Sequence, residues 1–591
     1  MNFAAALLYA VSSSTLLAVL LGFLRGGLSP SSAALSLGGG LLVAAFALWQ
    51  DRYRRSTIVP PRPWEWVAIV AYTLVTLRIF LWVVFTDGDE IKVLSPNNLG
   101  DFSLHLTYIR NFASGVTFWP DNPIFFDGRL TYPVGIDLFH SLLVLVGADV
   151  FRMFMWIGVF AAAVIGVALW TWGRSWTLFG FLSNGGLAAL VIFKTGHLTD
   201  FQSTLGWKSF ALALLATQRG LLFAIPAGLL LLHSWRKRFF SEETDGRLPL
   251  WGEILLYASL PLFHFHTFLF LSALLGTWFI IRPSARKALL WLVGISFLPA
   301  TFLVLQVTGG LHGGHLIGWK PGWMWDDSSF LQLCADHLGE PSKLYAGLLF
   351  WPVNFGVLPI LVFILVYRLI RDREAVWQRA IVFPALGVFL VCCFVKFAPW
   401  EWDNTKLMLW SYLAILPVIW SELIGRWSAK YQVLITIALF GSGFASTLGG
   451  IDNTHHGYSI GDRSVLDKVA RAVRPISPQE RFAGMPTYNH PLLLCGRKMT
   501  LGYLGHVASH GLPWEQSAAD LQSLMMGDPD WRNLAAKLKT RYLFWGAQEE
   551  ETYHESTHPW IGQTKLVTTG DWGSIYDLQA PADEPKAPSA D

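Results

Sequence analysis

The stretch WEWVAIVAYTLVTLRIFLWVVF, residues 64–85, runs directly into TDGDEIK, residues 86–92. The first segment carries only two charges, Glu65 and Arg78, and is long enough for one helical crossing of a bilayer core about 30 Å thick. The second places Asp87, Asp89 and Glu90 within four residues. Carboxylates so crowded repel one another and need a cation, a basic partner or water. They therefore mark where the chain leaves the lipid. They also open two readings: a metal or general-base site at the membrane surface, or a solvated loop.

Working outward, similar apolar runs recur at 3–24, 32–49, 153–171, 288–306, 345–366, 380–395, 407–420 and 431–448. Residues 136–149, 176–193, 207–234 and 250–281 are apolar but interrupted by Gly, Pro or His, as broken helices are. The expectation is a membrane all-α protein of about 13 to 15 transmembrane helices. The composition agrees. Only 14% of the 591 residues are charged, against about 25% in soluble proteins. The 29 Trp and 41 Phe suit membrane–water interfaces. A net charge of +3, spread over short loops, excludes a nucleic-acid partner. The first run lacks a basic leader and a small-residue cleavage site, so it reads as a retained helix.

Five basic clusters set the orientation: Arg52, Arg54, Arg55 and Arg62; Arg236, Lys237 and Arg238; Arg282, Arg286 and Lys287; Arg368, Arg371, Arg373 and Arg379; Arg426 and Lys430. Placed together in the cytoplasm, they give a consistent alternation except at 172–235, where two or four crossings fit. Residues 86–135, 307–344, 396–406 and everything after 448 then face the other side. The expected domains are a hairpin at 1–49, a polytopic body at 50–448 and an extracytoplasmic α/β domain at 449–578. A Pro/Ala-rich tail, expected to be disordered, follows at 579–591. In the α/β domain helices are expected at 465–473, 514–526 and 531–538, and strands at 541–545, 565–569 and 573–578. Cys334 and Cys495 share a side in this reading, which permits a disulfide. Isolated cysteines also serve as small apolar fillers, as the adjacent Cys392 and Cys393 suggest.

Chemistry-bearing residues gather on the outer side. In GDFSLHLTYIRNF, Asp101, His105 and Tyr108 follow the i, i+4, i+7 rhythm of one helix face, with Arg110 nearby. An acid beside an imidazole on an interfacial helix can take a proton from a hydroxyl, although Asp101 also suits a helix cap. His264 and His266, in PLFHFHTF, are ionisable residues inside apolar sequence, and such residues line cavities or pathways. In KFAPWEWDNTK, residues 396–406, Trp400 and Trp402 mark the interface, and Asp403 and Lys406 suit a lipid-borne phosphate. The long 307–344 loop, with Asp326 and Asp327, has aromatics able to stack on sugars. No nucleotide-binding, serine-hydrolase or zinc-protease motif is present.

With these residues in place, the chain resembles the GT-C type of membrane glycosyltransferases, which includes protein mannosyltransferases and oligosaccharyltransferases. The resemblance rests on the acidic first outer loop, the broken spans, WEWDNTK and the C-terminal outer domain, and covers roughly 64–578. It departs in having the 1–49 hairpin ahead of the first span and in the position of its carboxylates along the loop. The resemblance implies a polyprenyl-(pyro)phosphate-linked sugar as donor and a glycan, lipid or protein as acceptor. It implies Asp101, Asp89 or Glu90 as the catalytic carboxylate, and a divalent cation, if any, at Asp87 and Asp89. His105, Arg110, His264, His266, Asp403 and Lys406 would bind substrate. A bacterial inner membrane is the expected setting. The rival readings are a transporter or flippase of lipid-linked glycans and a non-catalytic protein of envelope assembly.

Overall fold

The structure, a computed structural model, describes residues 2–52, 60–241, 243–310, 317–338, 343–452 and 456–582. Two parts meet in it: a helical body and a C-terminal domain built on a five-stranded sheet.

Among the described residues six helices are long and apolar enough to cross a membrane, namely Asn2–Arg25, Pro30–Gln50, Val150–Leu182, Pro283–Thr308, Glu401–Arg426 and Ala429–Ile451. Tyr345–Phe355 and Leu358–Arg371, bent by 81°, form a further broken span. Shorter apolar helices complete the body, among them Leu250–Phe263 and Phe265–Ile281, which divide the interrupted run read at 250–281. The expected 13 to 15 spans include these short and broken pieces, which a length criterion does not count.

The first two helices pair closely through small residues. A Cβ on Gly40 would sit 2.0 Å from Ser14 Oγ, so only glycine admits this approach. Ser29 caps the second helix reciprocally with Ser32. In Val150–Leu182 the helix breaks at Gly173 and Arg174, between the runs read at 153–171 and 176–193.

Residues from all five basic clusters meet at one end of the body. Glu65 accepts Arg174 and the Arg62 amide, and Arg238 pairs with Glu253 at 2.8 Å. Glu422 takes Arg426 at 2.7 Å and Arg368 at 3.5 Å, while Arg282 donates to the Phe239 carbonyl at 3.3 Å. Arg54 and Arg55 lie outside the described residues.

The C-terminal sheet has the order Lys498–Met499, Arg481–Ala483, Tyr542–Trp545, Gly573–Pro581, Thr564–Gly570. Its first three strands are parallel and the last two antiparallel. The helices Arg463–Val473, Glu515–Met526 and Trp531–Lys537 fall within two residues of expectation. The last strand continues to Pro581, so residues 579–581 are ordered rather than part of a tail.

The segments expected as outer loops differ from free loops. Phe85–Asp87 and Glu90–Val93 form a hairpin that pairs with Tyr458–Asp462, making one three-stranded sheet across the two parts. In the 307–344 segment Gly318–Trp319 pairs with Val395–Lys396, and Ser328–Leu338 is helical. All four cysteines are free, so the permitted Cys334–Cys495 disulfide does not form.

Candidate functional site

A cavity of about 910 Å³ opens where the helical body meets the C-terminal domain. Segments distant in sequence line it, four of which carry most of its polar groups. These four are the first-loop helix, the junction at 263–266, the entrance of the Thr405–Glu422 helix and residues 503–512 of the C-terminal domain. Asp101, His264, His266, Asp403 and Lys406 all reach it.

Asp101 sits in the first turn of Leu99–Ala113, two residues inside the helix rather than at its cap. The turn Pro96–Asn98 leads in, with Ser95 accepting the Asn97 amide at 3.3 Å. Gly100 allows the C-terminal domain to close on this turn, because a Cβ there would lie 2.9 Å from His506 Nε2. Burial pushes the Asp101 carboxyl above the usual carboxylate range, and Asp403 adds to this; His105 and Lys406 pull the other way.

His105 and Tyr108 share Asp101's helix face but are buried beneath it. His105 Nδ1 donates to Asp137 Oδ2 at 2.8 Å, and its Nε2 has no partner. Arg219 Nε stands 3.6 Å from the other Asp137 oxygen, and its Nη2 donates to His140 Nδ1 at 3.2 Å. His140 Nε2 then donates to the Val150 carbonyl. His105 thus supports the floor of the site.

His264 breaks the 250–281 run in extended conformation and caps the following helix. Its Nδ1 accepts from the Thr267 amide at 3.2 Å and the Thr267 hydroxyl at 2.7 Å, while Trp410 donates to that hydroxyl. An amide can only donate, so the His264 proton is on Nε2, which has no partner. The result is a fixed, buried and unpartnered hydrogen-bond donor on a residue that lines the cavity. His266 stands beside it, with ring centroids 5.6 Å apart.

Lys406 Nζ lies 3.1 Å from Asp403 Oδ1. Asn404 builds the turn that presents them: its Oδ1 accepts the Phe397 amide at 3.0 Å, and its Nδ2 donates to the Cys392 and Val395 carbonyls, each at 2.8 Å. Glu401 turns the other way, 3.9 Å from Lys320. Asp326 also pairs with Lys320 and does not line the cavity.

Four expected site residues, Asp87, Asp89, Glu90 and Arg110, lie elsewhere. Asp89 and Glu90 are exposed on the hairpin, where Lys92 holds Glu90 at 2.9 Å and Asp87 at 2.7 Å, and the Asp89 carbonyl accepts the Arg463 amide. The Lys92 ammonium thus neutralises Asp87 and Glu90, while the Asp89 carboxylate stays exposed at the hairpin turn. Among the described residues no group of three or more His, Cys, Asp or Glu could hold a metal ion. Arg110 donates to the Leu494 carbonyl at 2.7 Å, and its neighbour Asn111 donates to the Gly496 carbonyl at 2.9 Å. Arg110 therefore ties the first loop to the C-terminal domain instead of binding at the cavity.

The sequence reading missed Tyr132, Lys208, His506 and His510, which also line it. A signal existed in GYLGHVASHGL, residues 502–512, where two histidines four apart sit among glycines. Burial pushes His506 down to about 4 and His510 down to about 3, so both imidazoles are neutral near pH 7.

No family model and no curated protein matches the chain. Among solved structures, the oligosaccharyltransferase of Archaeoglobus fulgidus in its apo form aligns at 13% identity and a TM-score of 0.46, covering 84% of this chain and 71% of that one. The archaeal oligosaccharyltransferase AglB from the same organism, in complex with an inhibitory peptide and a dolichol-phosphate, aligns at 10% identity and a TM-score of 0.45, over 83% and 70%. ArnT from Cupriavidus metallidurans, bound to undecaprenyl phosphate, aligns at 11% and 0.43, over 88% and 98%. The likeness is one of architecture. It is distant, and the chemistry has to be read from the cavity itself.

Proposed function

We propose that this chain is a membrane glycosyltransferase that moves a sugar from a polyprenyl-phosphate-linked donor to a hydroxyl acceptor. The carrying observation is one cavity that holds a half-buried carboxylate, a lysine and a fixed imidazole donor, with apolar helices around it. Asp101 accepts the proton of the acceptor hydroxyl, helped by the basicity that burial confers. The hydroxyl oxygen forms a bond to the anomeric carbon. The bond from that carbon to the phosphate oxygen breaks, and its electron pair leaves on the lipid phosphate. Lys406 and His264 Nε2–H meet the negative charge that grows there, so they stabilise the transition state more than the ground state. The neutral His506 and His510 serve as hydrogen-bonding groups from the opposite wall.

The test follows released polyprenyl phosphate and modified acceptor in liposomes carrying purified protein and a panel of lipid-linked sugars. Asp101→Asn should lower turnover by about 100-fold or more. Lys406→Ala should depress turnover more than donor binding. A wild-type chain that moves the lipid-linked sugar across the bilayer without releasing lipid phosphate is a flippase, and the proposal fails.

A further inference from the structure

A second cavity, of about 310 Å³, lies at the end of the body where the basic clusters meet, away from the candidate site. It forms between the start of Glu65–Leu81, the kink of Val150–Leu182 and the ends of Arg219–Phe240, Val376–Cys392 and Thr405–Glu422. Arg62, Arg174 and Arg236 line it, and Glu65 is its sole carboxylate.

The charges do not balance. Arg174 engages Glu65 through two nitrogens, at 2.9 Å and 2.5 Å. The remaining capacity of that carboxylate goes to the Arg62 amide at 2.8 Å and the Ser175 hydroxyl at 3.3 Å. One guanidinium thus consumes the carboxylate. The guanidinium groups of Arg62 and Arg236 have no carboxylate partner among the described residues; Arg236 rests over the Trp377 ring at 5.6 Å. Arg174 also holds a left-handed backbone, φ 56, which costs a non-glycine residue energy and which the surrounding packing maintains. The walls carry Trp64, Trp172, Trp377 and Trp420, residues typical of the bilayer interface.

We infer that this pocket binds a phosphate group, supplied by the headgroup of an anionic phospholipid. Guanidinium forks match phosphate oxygens geometrically, and basic pockets between membrane helices receive such headgroups. The small volume admits a phosphate with a short alcohol, and the tryptophans place it at headgroup depth. This inference is independent of the transfer chemistry at the other cavity.

The experiment uses the full chain purified in detergent, carried through graded delipidation, with retained phosphatidylglycerol counted by native mass spectrometry. Wild type should retain phosphatidylglycerol in preference to phosphatidylcholine. R236Q should weaken retention about fivefold and R62Q/R236Q by more, the scale of one basic residue near anionic lipid. Inorganic phosphate that raises the wild-type melting temperature where phosphatidylglycerol does not, with the effect lost in R236Q, assigns the pocket to a free phosphate species and overturns the lipid source. Equal retention and equal melting behaviour in wild type and R236Q overturn the site altogether. R236Q leaves the Glu65–Arg174 pair intact, so its folding is checked against R236K, which keeps the charge and should keep the lipid.

Discussion

Asp101 is a carboxylate whose basicity is set by burial and by neighbours of both signs. Its raised pKa comes first from burial, with His105 and Lys406 lowering it and Asp403 raising it further. A general base must be ionised, so activity should fall as pH drops through that raised value, above the ordinary carboxylate range near 3.9. Removing Lys406 takes away a lowering influence, so Lys406→Gln should move the acid limb to higher pH. Asp403→Asn takes away a raising influence and should move it lower. The pH dependence of turnover in the two variants checks both signs, and shifts in the same direction would remove Asp101 from the role. At this scale the sequence was informative where polar residues interrupt apolar runs. His264, His266, Asp403 and Lys406 stood out for that reason, and all reach the cavity. Asp87, Asp89 and Glu90 stood out equally by crowding, yet Lys92 and strand pairing account for them. Crowding alone does not reveal which partner neutralises a charge.

Among elements, the turn ahead of Thr405–Glu422 depends on one buried side chain. Asn404 satisfies three backbone groups at once. Asn404→Ala leaves these groups unmatched in a buried site, at a cost of about 1–3 kcal/mol for each left unsatisfied. It should lower the melting temperature in detergent and reduce turnover, because Asp403 and Lys406 lose their support. Wild-type melting in Asn404→Ala would mean that the turn is held by other contacts. Elements with a strong period were legible in the sequence, including the three C-terminal helices, and the break in the 250–281 run was marked by its His and Pro. The strands Arg481–Ala483 and Lys498–Met499 were not, since two or three residues carry no period. Nor was the pairing of the 85–93 hairpin with Tyr458–Asp462, which joins residues more than 350 positions apart in sequence.

For the whole molecule, the gathering of basic clusters at one end predicts sidedness. Cysteines introduced at Glu374 and at Gln516 should label from opposite faces of a sealed vesicle, and labelling from the same face would invert the assignment of the outer cavity. The same geometry makes closure of that cavity sensitive to acid. The 503–512 segment of the C-terminal domain forms one wall, and its two histidines are held neutral by burial, at about 4 for His506 and about 3 for His510. His506 faces Gly100 and lies near His105; His510 stacks near Tyr132 at 5.0 Å and senses Lys406 and His506. Both folded values lie below the ordinary value near 6.5, so the open or unfolded state binds protons first as pH falls. The stability of the closed wall is therefore complete above pH 6.5 and is lost as pH drops toward 4. Hydrogen exchange at residues 503–512 should accelerate between pH 7 and pH 5, after correction for the intrinsic rate, while the distant strand Tyr542–Trp545 stays protected. His510→Asn, which cannot gain a proton, should flatten that dependence. An equal response of both segments would indicate global acid unfolding, and no response at 503–512 would show that the wall stays shut whatever the state of its histidines.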